Sequence, residues 1–259
     1  VVSGAPLRGP QVVKLGNGDL VTVHTSTAGC LCGGGCNCKV GQLTLRRFNT
    51  QGAKVKEATY LPIETSCGQA SCQDFQFQGR WLDLVPLSNG GFGMIISTRY
   101  YKAQGVVLAG TSERAYFVPV SADLQVGSRV DIGGADKLTA ASDDSHVYVF
   151  HQYGPFLYVK TLNHDGDVLA NDQVKGDAAS PQHMAIVPSG DGSFIAAFQG
   201  TNSSDPNALA IRIYRGGGEP THKIGHFSIQ LGGLATREGG GAHLAYSKKR
   251  VPYSFNNTY

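Results

Sequence analysis

Six cysteines are the residues whose type and spacing speak first, and all lie in the first third of the chain: Cys30, Cys32, Cys36, Cys38, Cys67 and Cys72. The run Cys30-Leu31-Cys32-Gly33-Gly34-Gly35-Cys36-Asn37-Cys38 is symmetric about Gly34. Folded as a hairpin with a glycine loop, it sets Cys32 opposite Cys36 and Cys30 opposite Cys38. Residues two apart share a sheet face, so the two pairs would stand as rungs on one side. Cys67 and Cys72 could then close a small loop of their own. The rival chemistry is a thiolate metal cluster, since Cys-x-Cys pairs recur in soft-metal sites. No histidine or further cysteine flanks the run, and an even cysteine count beside two glycosylation sequons fits an oxidising compartment. The expectation is three disulfides, Cys30–Cys38, Cys32–Cys36 and Cys67–Cys72, stapling a long loop. The sequons place glycans on Asn202 and Asn256.

Other chemistry is sparser. Asn163-His164-Asp165-Gly166-Asp167 has the look of an oxygen-rich calcium loop, with Asp165 and Asp167 as ligands. It lacks the ligand number and distal glutamate of such loops, and Asp-Gly between apolar strands is also a hairpin turn. His24, His146, His151 and His183 lie on or beside expected inner strands, without His-x-His or His-Glu-x-x-His spacing. There is no Gly-x-Ser-x-Gly elbow, no phosphate loop, and no carboxylate pair that stands out for glycoside hydrolysis. Ser189-Gly190-Asp191-Gly192 is off register for the Asp-box of sialidase-like proteins and has no second copy. The expectation is therefore no catalytic residues, no metal and no resident cofactor. Trp81 is the single tryptophan and has no aromatic counterpart at matching positions, which speaks against repeated sugar sites. Tyr100, Tyr101, Val251, Tyr253, Phe255 and Tyr259 suit a protein contact, because tyrosine is favoured at interfaces.

The elements that would carry these groups follow a repeat of about 50 residues. Each copy has an extended apolar segment, a Gly/Asn/Asp-rich turn and a second apolar segment, commonly with more strands after it. The turns are Gly16-Asn17-Gly18-Asp19, Ser88-Asn89-Gly90-Gly91, Ser142-Asp143-Asp144-Ser145, Ser189-Gly190-Asp191-Gly192 and Glu238-Gly239-Gly240-Gly241. A small sheet cannot bury both its faces alone and must stack on copies of itself. Low charge (16%) and 35 glycines agree with many tight turns and few solvated helices. The expected fold is all-β: a single β-propeller of five four-stranded blades, with a β-sandwich as the alternative. Blades are expected at residues 10–62, 80–132, 136–175, 181–230 and 232–259, with residues 1–8 closing the last. Their inner strands are expected at Gln11–Leu15, Trp81–Leu87, Lys137–Ala141, Gln182–Val187 and Gly233–Thr236.

The phrase PQVVKLGNGDLVTVHTS … GQLTLRRFNTQGAKV resembles the repeat of bacterial-type extracellular β-propeller proteins. That resemblance implies a propeller fold and covers most of the chain. Such repeats serve lectins, adhesins and fibre proteins alike, so it implies no particular activity.

Net charge is +3 with Lys and Arg scattered, so no nucleic-acid surface is expected, and no apolar run is long enough for a membrane span. The start at Val1 without a leader reads as a processed, secreted chain. The last blade is one strand short, and Val1–Leu7 or a neighbour's segment could complete it. The leading expectation is a structural or interaction propeller outside the cell, self-associating through its termini into an oligomer or filament. A carbohydrate-binding lectin or adhesin is the alternative, with glycans as possible partners; a propeller glycoside hydrolase is third.

Overall fold

The computed structural model describes residues 11–29, 39–60, 75–104, 107–174, 183–202, 205–216, 220–226, 229–237 and 241–248. These residues form eighteen strands in five antiparallel sheets and no helix. Sheet 1 holds β1 (Gln11–Lys14), β2 (Leu20–Gly29), β3 (Lys39–Phe48) and β4 (Lys54–Tyr60). Sheet 2 holds β5 (Phe75–Pro86), β6 (Phe92–Gln104), β7 (Val107–Val120) and β8 (Val130–Gly133). Sheet 3 holds β9 (Lys137–Ser142), β10 (His146–Tyr153), β11 (Phe156–Asn163) and β12 (Val168–Val174). Sheet 4 holds β13 (His183–Pro188), β14 (Phe194–Asn202), β15 (Asp205–Arg215) and β16 (His222–His226). Sheet 5 holds β17 (Ile229–Thr236) and β18 (Ala242–Lys248). Within every sheet the strands pair in chain order, so each is a meander.

Packing explains why one repeat cannot stand alone. On β6, Phe92, Met94 and Ile96 face sheet 1, packed with Val13, Val21, Val23 and Leu45. The intervening Ile95 faces the other way, with Phe117, Val147 and Val149 between sheets 2 and 3. On β10 the alternation repeats: Val147 and Val149 face sheet 2, while Tyr148 and Phe150 pack with Phe194, Ala196 and Phe198 of sheet 4. Ala197 and Ile211 then meet Leu231 of sheet 5. The middle strands are buried on both faces, which is why they read as continuous apolar runs rather than polar-apolar alternation.

The first strands also touch in succession, β1 to β5, β5 to β9, β9 to β13 and β13 to β17. Polar side chains fasten this line. Asp83 on β5 accepts from the Ala140 N–H (2.8 Å) and the Thr139 hydroxyl (3.1 Å) on β9. Ser97 donates to the Ala135 carbonyl at 3.1 Å. Gln199 accepts from the Leu231 N–H at 2.7 Å. Burial raises the Asp83 carboxyl, against the opposing pull of the N–H groups of Ala140 and Leu84 and of the Thr139 hydroxyl.

Strands β6 and β7 stay paired out to Gln104 and Val107, and β5 pairs along β6 from Phe75. Asn202 ends β14 and pairs across to Asp205.

Candidate functional site

The turn from first to second strand is built the same way in most sheets. In sheet 1 the Leu15 N–H donates to the Asp19 carbonyl (2.8 Å) and the Gly18 N–H to the Leu15 carbonyl (2.9 Å). In sheet 2 the Leu87 N–H donates to Gly91 (3.0 Å) and the Gly90 N–H to Leu87 (3.1 Å). The Ser189 N–H donates to Ser193, and the Arg237 N–H to Gly241. A central Asn or Asp completes each of three turns: Asn17 accepts from the Asp19 N–H, Asn89 from Gly91 and Asp191 from Ser193. The next residue must take positive φ, and there the chain places Gly18 (88°), Gly90 (84°) and Gly192 (78°). In sheet 3 the turn is shorter, with the Asp143 carboxylate accepting from the N–H groups of both Ser145 and His146.

These turns line up along one rim. A methyl on Gly16 would stand 4.0 Å from the Gly90 Cα, so turns 1 and 2 are adjacent. His164, in the turn between β11 and β12, joins turns 2 and 3. Its Nδ1 accepts from the Ser88 N–H at 3.0 Å, which leaves the proton on Nε2 to donate to the Asp143 carbonyl at 3.1 Å. The Ser142 hydroxyl adds a bond to the Pro86 carbonyl at 2.7 Å. In sheet 1, Arg47 donates from Nε to Asp19 at 2.7 Å and from Nη1 to the Ala122 carbonyl of the β7–β8 turn at 2.9 Å. Outer turns of one sheet thus clasp the preceding sheet.

Between turns 3, 4 and 5 the rim opens. A cleft of about 540 Å³ is lined by Ser142, Asp143, Ser189, Asp191, Arg215 and Arg237, together with Pro188, Gly190 and Thr236. Both carboxylates are already engaged. Asp191 accepts from the hydroxyls of Ser189 and Ser193, from the Ser193 N–H and, at 2.7 Å, from Arg215 Nη2. Those hydroxyls, Ser189 first, and then Arg215 hold the Asp191 carboxyl well below the ordinary range. Burial would raise the Asp143 carboxyl, but the N–H groups of Ser145 and His146 and the Tyr148 hydroxyl (2.9 Å) outweigh it and hold it low. Tyr148 is pushed upward by burial and by that same carboxylate.

Among the described residues, those singled out by sequence do not assemble into a site. His24 lies on β2, His146 and His151 on β10, and His183 opens β13. Among the described residues no three His, Cys, Asp or Glu side chains group to hold a metal. At the calcium-like loop, Asn163 Oδ1 accepts from the Asp165 and Asp167 N–H groups and Nδ2 donates to the Asp167 carboxylate, while both aspartates are exposed. Tyr100 and Tyr101 lie on β6. Cys30, Cys32, Cys36, Cys38, Cys67, Cys72, Asn256, Val251, Tyr253, Phe255 and Tyr259 lie outside the described residues. Sequence reasoning passed over Arg215 and Arg237. Only their position relative to the turn repeat, one ending β15 and one opening the fifth turn, could have drawn attention to them.

No protein-family model matches the sequence, and neither does any curated protein sequence. Among solved structures the chain is similar to the crystal structure of polysaccharide lyase Uly1, with a TM-score of 0.36 and 9% identity over 80% of this chain. The match spans 57% of that protein's length. No helix among the described residues is long and apolar enough to cross a membrane.

Proposed function

We propose that the chain is a five-bladed β-propeller that serves as a structural or interaction module outside the cell and associates with copies of itself through its terminal segments. The first strands are the inner strands of the blades, and the fifth blade meets the first to close the ring. Meandering four-stranded sheets packed in succession are the units from which such rings are built.

One observation carries the reading of self-association. Sheets 1 to 4 each have four strands, whereas sheet 5 has two among the described residues. Beside it runs a cleft of about 300 Å³ between sheets 4 and 5, lined by Ile195, Ile213, Tyr214, Leu234 and Leu244 among others. Tyr246 on β18 stands 49% exposed. An open strand edge next to apolar surface templates strand addition, and natural proteins cover it. Val251, Tyr253 and Phe255 alternate in sequence as the last strand of this sheet would, and Val1–Leu7 is the segment left to cover the edge beside it. Supplied by a neighbour, such a strand makes a head-to-tail contact, which propagates as a ring or filament. The three disulfides and the glycans on Asn202 and Asn256 belong to the same extracellular reading.

The test is the mass in solution, by light scattering over a range of concentrations, of the chain with and without Val1–Leu7. The expected result is an oligomer or polymer that shortens, or a monomer that loses stability, when the segment is removed. A truncated protein unchanged in both stability and assembly would overturn the role of the termini.

A further inference from the structure

Among the described residues the rim of turns is fastened between turns 1, 2 and 3 and opens around turns 3, 4 and 5, and the contrast points to a ligand. Turns 1 and 2 abut at Gly16 and Gly90, and turns 2 and 3 are bridged by His164 and Ser142. Turns 3, 4 and 5 instead stand around the 540 Å³ cleft, a volume within the range of small-molecule sites. The chemistry facing this space is lopsided. The oxygens of Asp143 and Asp191 already accept from protein donors, as described above, so they offer little to a guest that donates.

Donors remain. Arg215 gives Nη2 to Asp191 and keeps further N–H groups of its planar fork. Arg237 is exposed and, among the described residues, has no ion-pair partner. Thr236, next to it in the chain, also lines the cleft. Two guanidinium groups from neighbouring sheets suit an oxyanion, which each can meet with paired N–H donors. The two carboxylates offset the positive charge, which favours a singly charged carboxylate over a dianion such as phosphate. Among the described residues no aromatic side chain lines the cleft to stack on a neutral sugar ring.

We propose that this cleft binds a small polar molecule through its carboxylate, held between Arg215 and Arg237. The site is independent of self-association, since it lies on the turns and not on the edge of β18.

The test is calorimetric titration of the intact chain with a matched pair of probes, glucuronate and glucose, and with inorganic phosphate, at low ionic strength. Glucuronate is expected to bind and glucose not to. Arg237→Gln should weaken glucuronate at least about tenfold, the loss of a charge-assisted hydrogen-bonded contact. Arg237→Lys, which keeps the charge without the fork, should weaken it less. Because Arg237 is exposed, both variants should melt as the parent does; if Arg237→Gln does not fold, Arg237→Lys alone decides by weakening glucuronate or not. Equal binding of glucose and glucuronate, no glucuronate binding at millimolar concentration, or unchanged affinity in the Arg237 variants would overturn the site. Tighter binding of phosphate than of glucuronate would overturn the carboxylate assignment.

Discussion

Replacing His151 should remove a defined part of the protein's sensitivity to acid. The ring is 4% exposed, stacks on Tyr158 with centroids 5.5 Å apart, and donates from Nδ1 to the Gly134 carbonyl at 3.1 Å. Nε2 is buried and has no hydrogen-bond partner among the described residues, and Lys160 lies close enough to oppose a second positive charge. Burial first, and Lys160 after it, lower the imidazole from 6.5 to about 4, with the Gly134 bond pulling weakly the other way. The unfolded chain therefore takes up a proton at this position before the folded chain does. Stability is full above about pH 6.5, falls as pH drops below it, and levels off once pH passes below about 4. At about 1.4 kcal/mol for each pH unit, the whole loss is about 3 kcal/mol.

Urea unfolding followed by tryptophan fluorescence or circular dichroism, from about pH 7.5 to about pH 4, measures it for the parent and for His151→Phe. At neutral pH the variant should be the weaker by about 1–2 kcal/mol, because the Gly134 carbonyl loses its donor. As pH falls the difference should shrink and reverse, since the variant has nothing to protonate. Carboxylates titrate in the same range but do so in both proteins, so the difference between the curves isolates His151. Parallel curves across the range would refute the reasoning.

Two further substitutions test the clasps between sheets. Gly166 has φ of 101°, and a methyl there would lie 2.7 Å from Val130 and 3.2 Å from Phe117 of the preceding sheet. Gly166→Ala should cost about 2 kcal/mol or more, whereas Gly154→Ala, at φ 57° with open space around it, should cost about 1; equal losses in thermal melts would contradict the packing. Arg47→Ala removes the bonds to Asp19 and to the Ala122 carbonyl, with the Arg47 side chain 18% and the Asp19 side chain 11% exposed. It should cost about 1–3 kcal/mol, with Arg47→Lys recovering only part because an ammonium cannot span both acceptors; a melt within error of the parent would show the clasp to be idle.

How much of this was legible in the sequence depends on whether a residue acts within its own repeat or across to the next. The strand order, the turns and the glycines at positive φ were readable because they obey local rules: Asn17-Gly18 and Asn89-Gly90 carry their conformation in their own side chains. The outer turns follow the same rule, with Gly52 and Gly166 at matching positions, yet sheet 2 places Leu124 there at φ 58°. No local preference selects a leucine for that conformation. It stays because its side chain is 2% exposed, buried against sheet 1 with Val13, Leu45 and Val120, so packing between sheets outweighs the backbone cost. His164 is the same case in polar form. Read along the chain it belonged to a calcium-like Asn-His-Asp-Gly turn. In the structure Asn163 closes that turn by itself, which frees the imidazole to reach Ser88 and Asp143 on two other turns. Arg215 and Arg237 were silent for the same reason, since each occupies an ordinary exposed position of its own sheet and gains meaning only from the other. A one-dimensional repeat shows what every sheet needs to fold. The features that differ from sheet to sheet, where a guest or partner would be told apart, are written in residues that depart from the repeat and point at a neighbour.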